Sequence, residues 1–178
     1  MLWSLLLACT DTGAVVDTAV VEDEECPPLC AEGEVVAQGE CRAIDPLFVE
    51  AELVLLGERD DSPYANGRYE VYTDQDAFDA GWSRLFEGDD TAGEAPQQQW
   101  DDVSVVLAAP GQLSTTQTFE LTGVSVYSQT VNTYGIVHSG GEGCPTQLEG
   151  STPAWLFRVP EGGATGSFYL DRWTCDCE

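Results

Sequence analysis

The sequence predicts an α+β domain: a mainly antiparallel β sheet or sandwich with one amphipathic helix packed on it. Beyond residue 45, short runs of β-branched and aromatic residues recur between turn residues. Only one stretch, about 73 to 87, carries helical periodicity. One run, Val103 to Ala108, is apolar on both faces, which marks a central strand covered twice.

The chain begins MLWSLLLACT. Leu6, Leu7 and Ala8 before Cys9 resemble a bacterial lipoprotein signal, in which the cysteine is lipidated and becomes the mature N-terminus. The apolar run is shorter than an ordinary signal core and no Lys or Arg precedes it, which a start codon lying further upstream would explain. The resemblance implies palmitate or similar acyl chains on Cys9, two of which give a stable anchor where one gives only marginal binding. Thr10 in place of an aspartate after the cysteine implies the outer membrane. The expected localisation is therefore the bacterial cell envelope, with residues 1–9 as the signal.

Residues 10–25 are small, polar and acidic with no aromatic, so they read as a flexible tether. The Asp11-Thr12-Gly13 triplet resembles the catalytic loop of aspartic proteases, but such a loop needs packed strands around it, and here it would lie beside the lipid. Residues 26–45 read as a small Cys-rich knot. With Cys9 assigned to lipid, six cysteines remain: Cys26, Cys30 and Cys41 near the start, and Cys144, Cys175 and Cys177 near the end. Full pairing of two odd sets requires at least one bridge between them. Cys175 and Cys177 are too close in sequence to bridge without strain. The expected pattern is Cys144 with one of them, the other joined to the N-terminal set, and one local pair within 26–41. Zinc is the rival, but C-x3-C and C-x-C are not ribbon spacings and exported thiols oxidise.

Residues 46–178 read as a single β-rich domain. Val49 to Leu56 is the first strand, Asp60 to Gly67 is turn chemistry, and Arg68 to Tyr72 is the returning strand. Thr73 is the expected N-cap, with Asp76 three residues on; Phe78, Trp82, Leu85 and Phe86 form the apolar face, and Gly88 supplies the stop. Asp76, Asp79 and Arg84 on the other face place the helix on a sheet rather than inside one. An acidic loop then leads to the central strand. Thr115 to Ser128 alternates with a phase slip near Gly123, where a bulge is expected. Thr130 to His138, Ala154 to Val159 and Ser167 to Thr174 complete the strands.

Charge excludes whole classes of function. There are 32 acidic residues against 6 basic ones, all arginine, for a formal net charge of −26. Such a surface opposes nucleic acid and anionic lipid and keeps an exported protein soluble. No phosphate loop, dinucleotide fingerprint or nucleophile elbow is present in the sequence. His138 is the only histidine; Ser139 beside it points to the other face of a strand, and no acid is placed by sequence to orient the ring. Asp101 and Asp102 diverge likewise if extended. Asp60-Asp61 and Asp89-Asp90 with Glu94 offer loop oxygens to calcium without an EF-hand spacing, so no metal or cofactor is assigned. Trp100, Tyr127, Tyr134, Trp155 and Trp173 are either core or a sugar platform, and burial separates the two. Tyr127, Tyr134 and Trp100 are the candidate ligand-binding residues.

From about residue 68 to 160 the chain resembles the C-terminal domain of the protease complex subunit PrcB family. The matching elements are Thr73, Phe78 and Trp82 at the helix, Pro96 and Asp101 before the apolar strand Val103 to Leu107, and Thr152-Pro153 through Val159-Pro160. Ser114 to Thr118 stands where the family often has a Gly-Gly-aromatic step. The resemblance implies a non-catalytic lipoprotein that assembles or stabilises an exported partner, such as a protease. The alternative is a surface module binding carbohydrate, another small ligand or calcium.

Overall fold

The computed structural model describes residues 15–22, 30–31, 33–37, 39–43, 49–50, 54–127, 129–141, 149–160 and 165–175. Its elements in chain order are β1 (Val15–Glu22), β2 (Glu34–Ala37), β3 (Glu40–Ala43), β4 (Val49–Glu50), β5 (Val54–Arg59), β6 (Arg68–Tyr72), α1 (Gln75–Leu85), β7 (Val103–Ala109), β8 (Gln117–Tyr127), β9 (Thr130–Gly140), β10 (Ala154–Pro160) and β11 (Thr165–Cys175). They form a sandwich of two sheets, ordered β5-β10-β7-β6 and β1-β11-β9-β8-β4, with the hairpin β2-β3 as a third small sheet.

β7 shows why the layers stack as they do. Every residue from Ser104 to Ala109 is buried, so both faces of the strand need cover. On one face Val105 and Leu107 join Phe78, Trp82 and Leu85 of α1, with Tyr72 of β6 and Leu156 of β10. On the other, Val106 and Ala108 join Phe157 and Val159 of β10 and meet Val124, Val131, Val137, Phe168 and Leu170 of the five-stranded sheet. Each such side chain contributes about 1.5–3 kcal/mol relative to exposure. A third cluster, Val36 with Ile136 and Trp173, seats the β2-β3 hairpin on the outer face of the five-stranded sheet. Tyr69 crosses the sandwich: its ring stacks on Phe168 at 5.8 Å, and its hydroxyl donates to Val131 O at 3.0 Å and lies 3.1 Å from Thr133 Oγ1. Burial raises the Tyr69 pKa well above the usual phenol range.

The predicted antiparallel character holds throughout the four-stranded sheet and for β4-β8-β9, while β9-β11 and β11-β1 pair in parallel. The bulge falls where the phase slips: Leu121 faces Gly135 and Gly123 faces Tyr134, which leaves Thr122 as the extra residue. The stretch from Val49 to Leu56 is not one strand. β4 pairs with β8 in one sheet and β5 with β10 in the other, so the chain switches sheets between them. Within the expected tether, Val15–Glu22 is a strand paired along β11. An edge position needs main-chain partners rather than an aromatic core, and its Val-Val and Thr-Ala-Val-Val runs favour extension.

The helix is capped by Asp74 rather than Thr73. Asp74 is extended (φ −147°, ψ 160°) and its carboxylate accepts from Ala77 N at 2.8 Å, three residues ahead, where a cap must reach. Phe86 closes the helix with its N–H on Trp82 O, and Gly88 follows at φ +81°. Arg59 covers the exposed carbonyls from the sheet, donating from Nη1 to Leu85 O (2.7 Å) and Glu87 O (3.0 Å), while its Nε reaches Asp61 Oδ1 at 2.7 Å. On the opposite edge Glu70 takes Arg68, Arg84 and the Tyr72 hydroxyl. Burial, with that hydrogen bond to Glu70, holds Tyr72 neutral far above the usual phenol range.

Gly81 sits inside the helix where propensity favours alanine. A Cβ there would lie 2.2 Å from the Tyr72 hydroxyl, so the close approach of helix to sheet needs glycine. Gly81→Ala is expected to lower the urea midpoint by about 1–3 kcal/mol equivalent despite the propensity gain, while exposed Ser83→Ala leaves it within about 0.5 kcal/mol. The hydrogen bond from Arg59 holds the Asp61 carboxyl below its ordinary value. A lowered folded pKa adds stability above the unfolded value that is lost as pH falls through the folded one. Thermal melts should therefore find Asp61→Asn less stable at neutral pH, with the gap closing on acidification.

Candidate functional site

The two sheets end unevenly on the side where β5 lies opposite β8. There the sandwich opens into a cleft of about 330 Å³, lined by Asp60, Leu113, Gln117, Phe119, Ser151 and Trp155, among others. Trp155 comes from β10, on the same face as Phe157 and Val159, and Phe119 comes from the inward face of β8. Their ring centroids lie 4.6 Å apart at 34°, and both rings are only partly buried. Phe119 reaches this position because β9 carries Gly135 beneath it; a Cβ there would stand 2.5 Å from the Phe119 ring.

The polar rim is built from turns. Leu113 bridges Ser151, and Thr152 N donates to Asp60 O at 2.7 Å, which ties the loop before β10 to the end of β5. Gln117 spends its amide locally, accepting from Ser114 N (2.9 Å) and donating to Ser139 Oγ (3.0 Å). Asp60 is exposed, and its carboxylate enters none of the ion pairs among the described residues. The cleft thus presents two aromatic surfaces beside one carboxylate and the Ser151 hydroxyl.

The three candidate ligand residues do not meet. Trp100 packs edge-on against Phe78 at 5.8 Å, and its Nε1 donates to Gln75 Oε1 at 3.0 Å, closing the acidic loop onto the helix. Tyr134 is on the outer face of the five-stranded sheet, buried, stacked on Tyr169 at 5.3 Å and 3.3 Å from Ser125 Oγ. Tyr127 shares that face and is exposed. Trp173 is core. Of the five aromatics weighed, Trp155 belongs to the cleft.

His138 does have an acid beside it, contrary to the expectation from sequence: Glu120 Oε2 lies 3.3 Å from its Nε2, one strand over on the outer face. The bulge at Thr122 and the hairpin register bring them together, and no sequence spacing shows it. This diagonal surface pair is worth little energetically. Asp101 and Asp102 are exposed in the turn before β7. Asp61 is engaged by Arg59, and Asp89 folds into its own turn, accepting from Thr91 N (2.9 Å) and Oγ1 (2.6 Å), which lowers its pKa. Glu94 borders a separate hollow of about 430 Å³ with Asp79 and Trp82. Among the described residues no three His, Cys, Asp or Glu side chains gather to hold a metal ion.

Cys9, Cys26, Cys144 and Cys177 lie outside the described residues. Cys30 and Cys41 form a disulfide across the β2-β3 hairpin, the local pair expected within 26–41. Closing a loop of this size is worth about 3 kcal/mol in the chain-entropy model. Cys175 and Cys30 pack against the same cluster of Val36, Ile136 and Trp173, so the knot rests on the C-terminal strand.

No family model matches this chain, and no curated protein and no solved structure matches it. What the geometry defines is a class: a two-sheet sandwich with a helix on one face, a disulfide-bonded hairpin on the other, and an aromatic cleft at one open side. Gly135→Ala should push the Phe119 ring toward Trp155, cost about 1–3 kcal/mol in a urea titration, and shift the tryptophan emission. Gly123→Ala, whose Cβ would meet nothing nearer than Val35 at 3.6 Å, serves as the control that leaves emission unchanged.

Proposed function

We propose that the chain is a non-catalytic binding module of the bacterial cell envelope, held there by acyl chains on Cys9, that engages an exported protein partner. The observation that carries this reading is the Phe119–Trp155 cleft with the Asp60 carboxylate at its rim. Partly exposed aromatic surface at the mouth of a rigid sandwich is the common anchor of recognition sites. A net charge of −26 adds long-range attraction for a cationic partner and accelerates encounter. The Leu6-Leu7-Ala8-Cys9 run supports the anchor. No helix among the described residues is long and apolar enough to cross a membrane. Kinship with the PrcB family is part of this proposal and rests on the helix, Pro-loop and central-strand pattern from Thr73 to Leu107.

The same rings beside Asp60 and Ser151 also favour a second reading, a carbohydrate ring stacked on Trp155. Mild cross-linking and pull-down of the intact lipoprotein from its envelope, against a Cys9→Ser control, separates the two. One dominant exported protein, recovered only with the anchor intact and reduced by Trp155→Leu, is the expected result. Recovery of nothing above background, with the protein folded and retained, overturns the protein-partner reading and leaves glycan binding to be measured on the same cleft.

A further inference from the structure

We infer that the partner enters as an extended strand, adding to the open edge of β8 at Gln117–Leu121 and laying a basic side chain over Trp155 against Asp60. This deepens the binding-module reading and rests on it.

The first argument is main-chain geometry. β8 pairs with β9 from Gln117 to Tyr127, but on its other side β4 reaches only Val126 and Ser125. Among the described residues no strand pairs with 117–121 on that side. Accessibility agrees: Thr118, Glu120 and Thr122 are exposed, and Phe119 and Leu121 between them are half-buried. Gly140 N donates to Thr116 O at 2.7 Å, which sets the phase of the antiparallel ladder. Hydrogen-bonded pairs then fall at Thr118/His138 and Glu120/Ile136, so the N–H and C=O of Phe119 and Leu121 point away from β9, toward the opening. An unpaired row of this kind is a template for another strand.

The second argument is what lies beside that row. A residue paired with Phe119 carries its side chain on the same face as the Phe119 ring, and that face is the cleft. Trp155 stands next to it, and Glu58 pairs with Trp155 on β5, exposed, sharing its face. Leu55, 53% exposed and among the described residues the most exposed large apolar side chain, lies on this face of the same strand. The opening is therefore aromatic and apolar at its floor with carboxylates of Asp60 and Glu58 at its rim. Three of the six arginines, Arg59, Arg68 and Arg84, are engaged around the helix layer. An arginine or lysine suits this site: its stem lies on the rings and its cation meets carboxylate and π face together.

The test uses the full chain and a blocked peptide, Thr-Val-Arg-Val-Arg-Val-Thr, followed by amide NMR and tryptophan emission. Binding that weakens with salt, shifts the Phe119 and Leu121 amides, is lost when the peptide is N-methylated at the alternate residues whose amides face β8, and survives methylation in the other phase is expected. Replacing both peptide arginines with glutamine, or Asp60→Asn in the protein, should each weaken it about tenfold. Asp60→Asn leaves the main-chain bond to Thr152 in place, and circular dichroism checks its fold. Binding as tight as the parent's in both methylation phases, or Phe119 and Leu121 amides that stay still at millimolar peptide, overturns the inference. If the peptide fails these tests while the envelope pull-down still captures a partner through Trp155, strand addition falls and the binding-module reading stands. An oligosaccharide that moves Trp155 emission where the peptide does not also overturns strand addition.

Discussion

A β strand without a polar face must be covered twice, and β7 imposes that requirement on everything around it. Ser104 to Ala109 lie buried at the middle of the molecule, with residues alternating between α1 and the second sheet. Neither cover suffices alone: without the helix, Val105 and Leu107 would face water, and without the five-stranded sheet, Val106 and Ala108 would. The layer order follows from that one run of apolar residues. Close approach then selects particular residues at the contacts, glycine at 81 under the Tyr72 hydroxyl and at 135 under the Phe119 ring.

In a chain so acidic, three of the six arginines are placed where main-chain and carboxylate charge would otherwise stand alone. Arg59 covers the last helix carbonyls, and Arg68 and Arg84 meet at Glu70 on the far edge of the same layer. The helix has too few turns to be stable by itself, and it is held by its buried face, by the Asp74 cap at its start and by these polar fastenings at its last turn. Asp60, Asp101 and Asp102 are exposed, and with a net charge of −26 the surface keeps a strong negative field. The cleft lies within that field, on the side where, among the described residues, β4 spans only two residues beside β8. The same mismatch that opens the cleft leaves the edge of β8 at 117–121 without a strand partner among the described residues. Cleft and main-chain row therefore share one cause, a chain that changes sheets between β4 and β5.

Local pattern was enough for the elements with strong periodicity. β6 begins and ends where its turn residues require, the bulge falls beside Gly123, and the apolar run of β7 announces a covered strand. The hairpin disulfide was expected within 26–41 because three cysteines crowd there. The helix start was legible to within one residue, since Thr73 and Asp74 are both good caps and only reach to the third amide chooses between them. β1 was missed because it has no core signal, and edge pairing is a main-chain interaction that any extended run supplies.

The sequence by itself determined the class of fold, the helix at about 73–87 with its buried face, the strongly acidic charge, and the lipoprotein-like start from which an envelope location is proposed. Only the tertiary structure decided which side chains share a site. Phe119 and Trp155 are far apart in the chain and meet because β8 and β10 face one another across the sandwich, while Tyr134 and Trp100, equally aromatic, are turned to different layers. His138 acquired Glu120 by strand register alone. Periodicity fixes which way a residue points on its own strand, but the neighbour it meets depends on long-range pairing, and that information is not local.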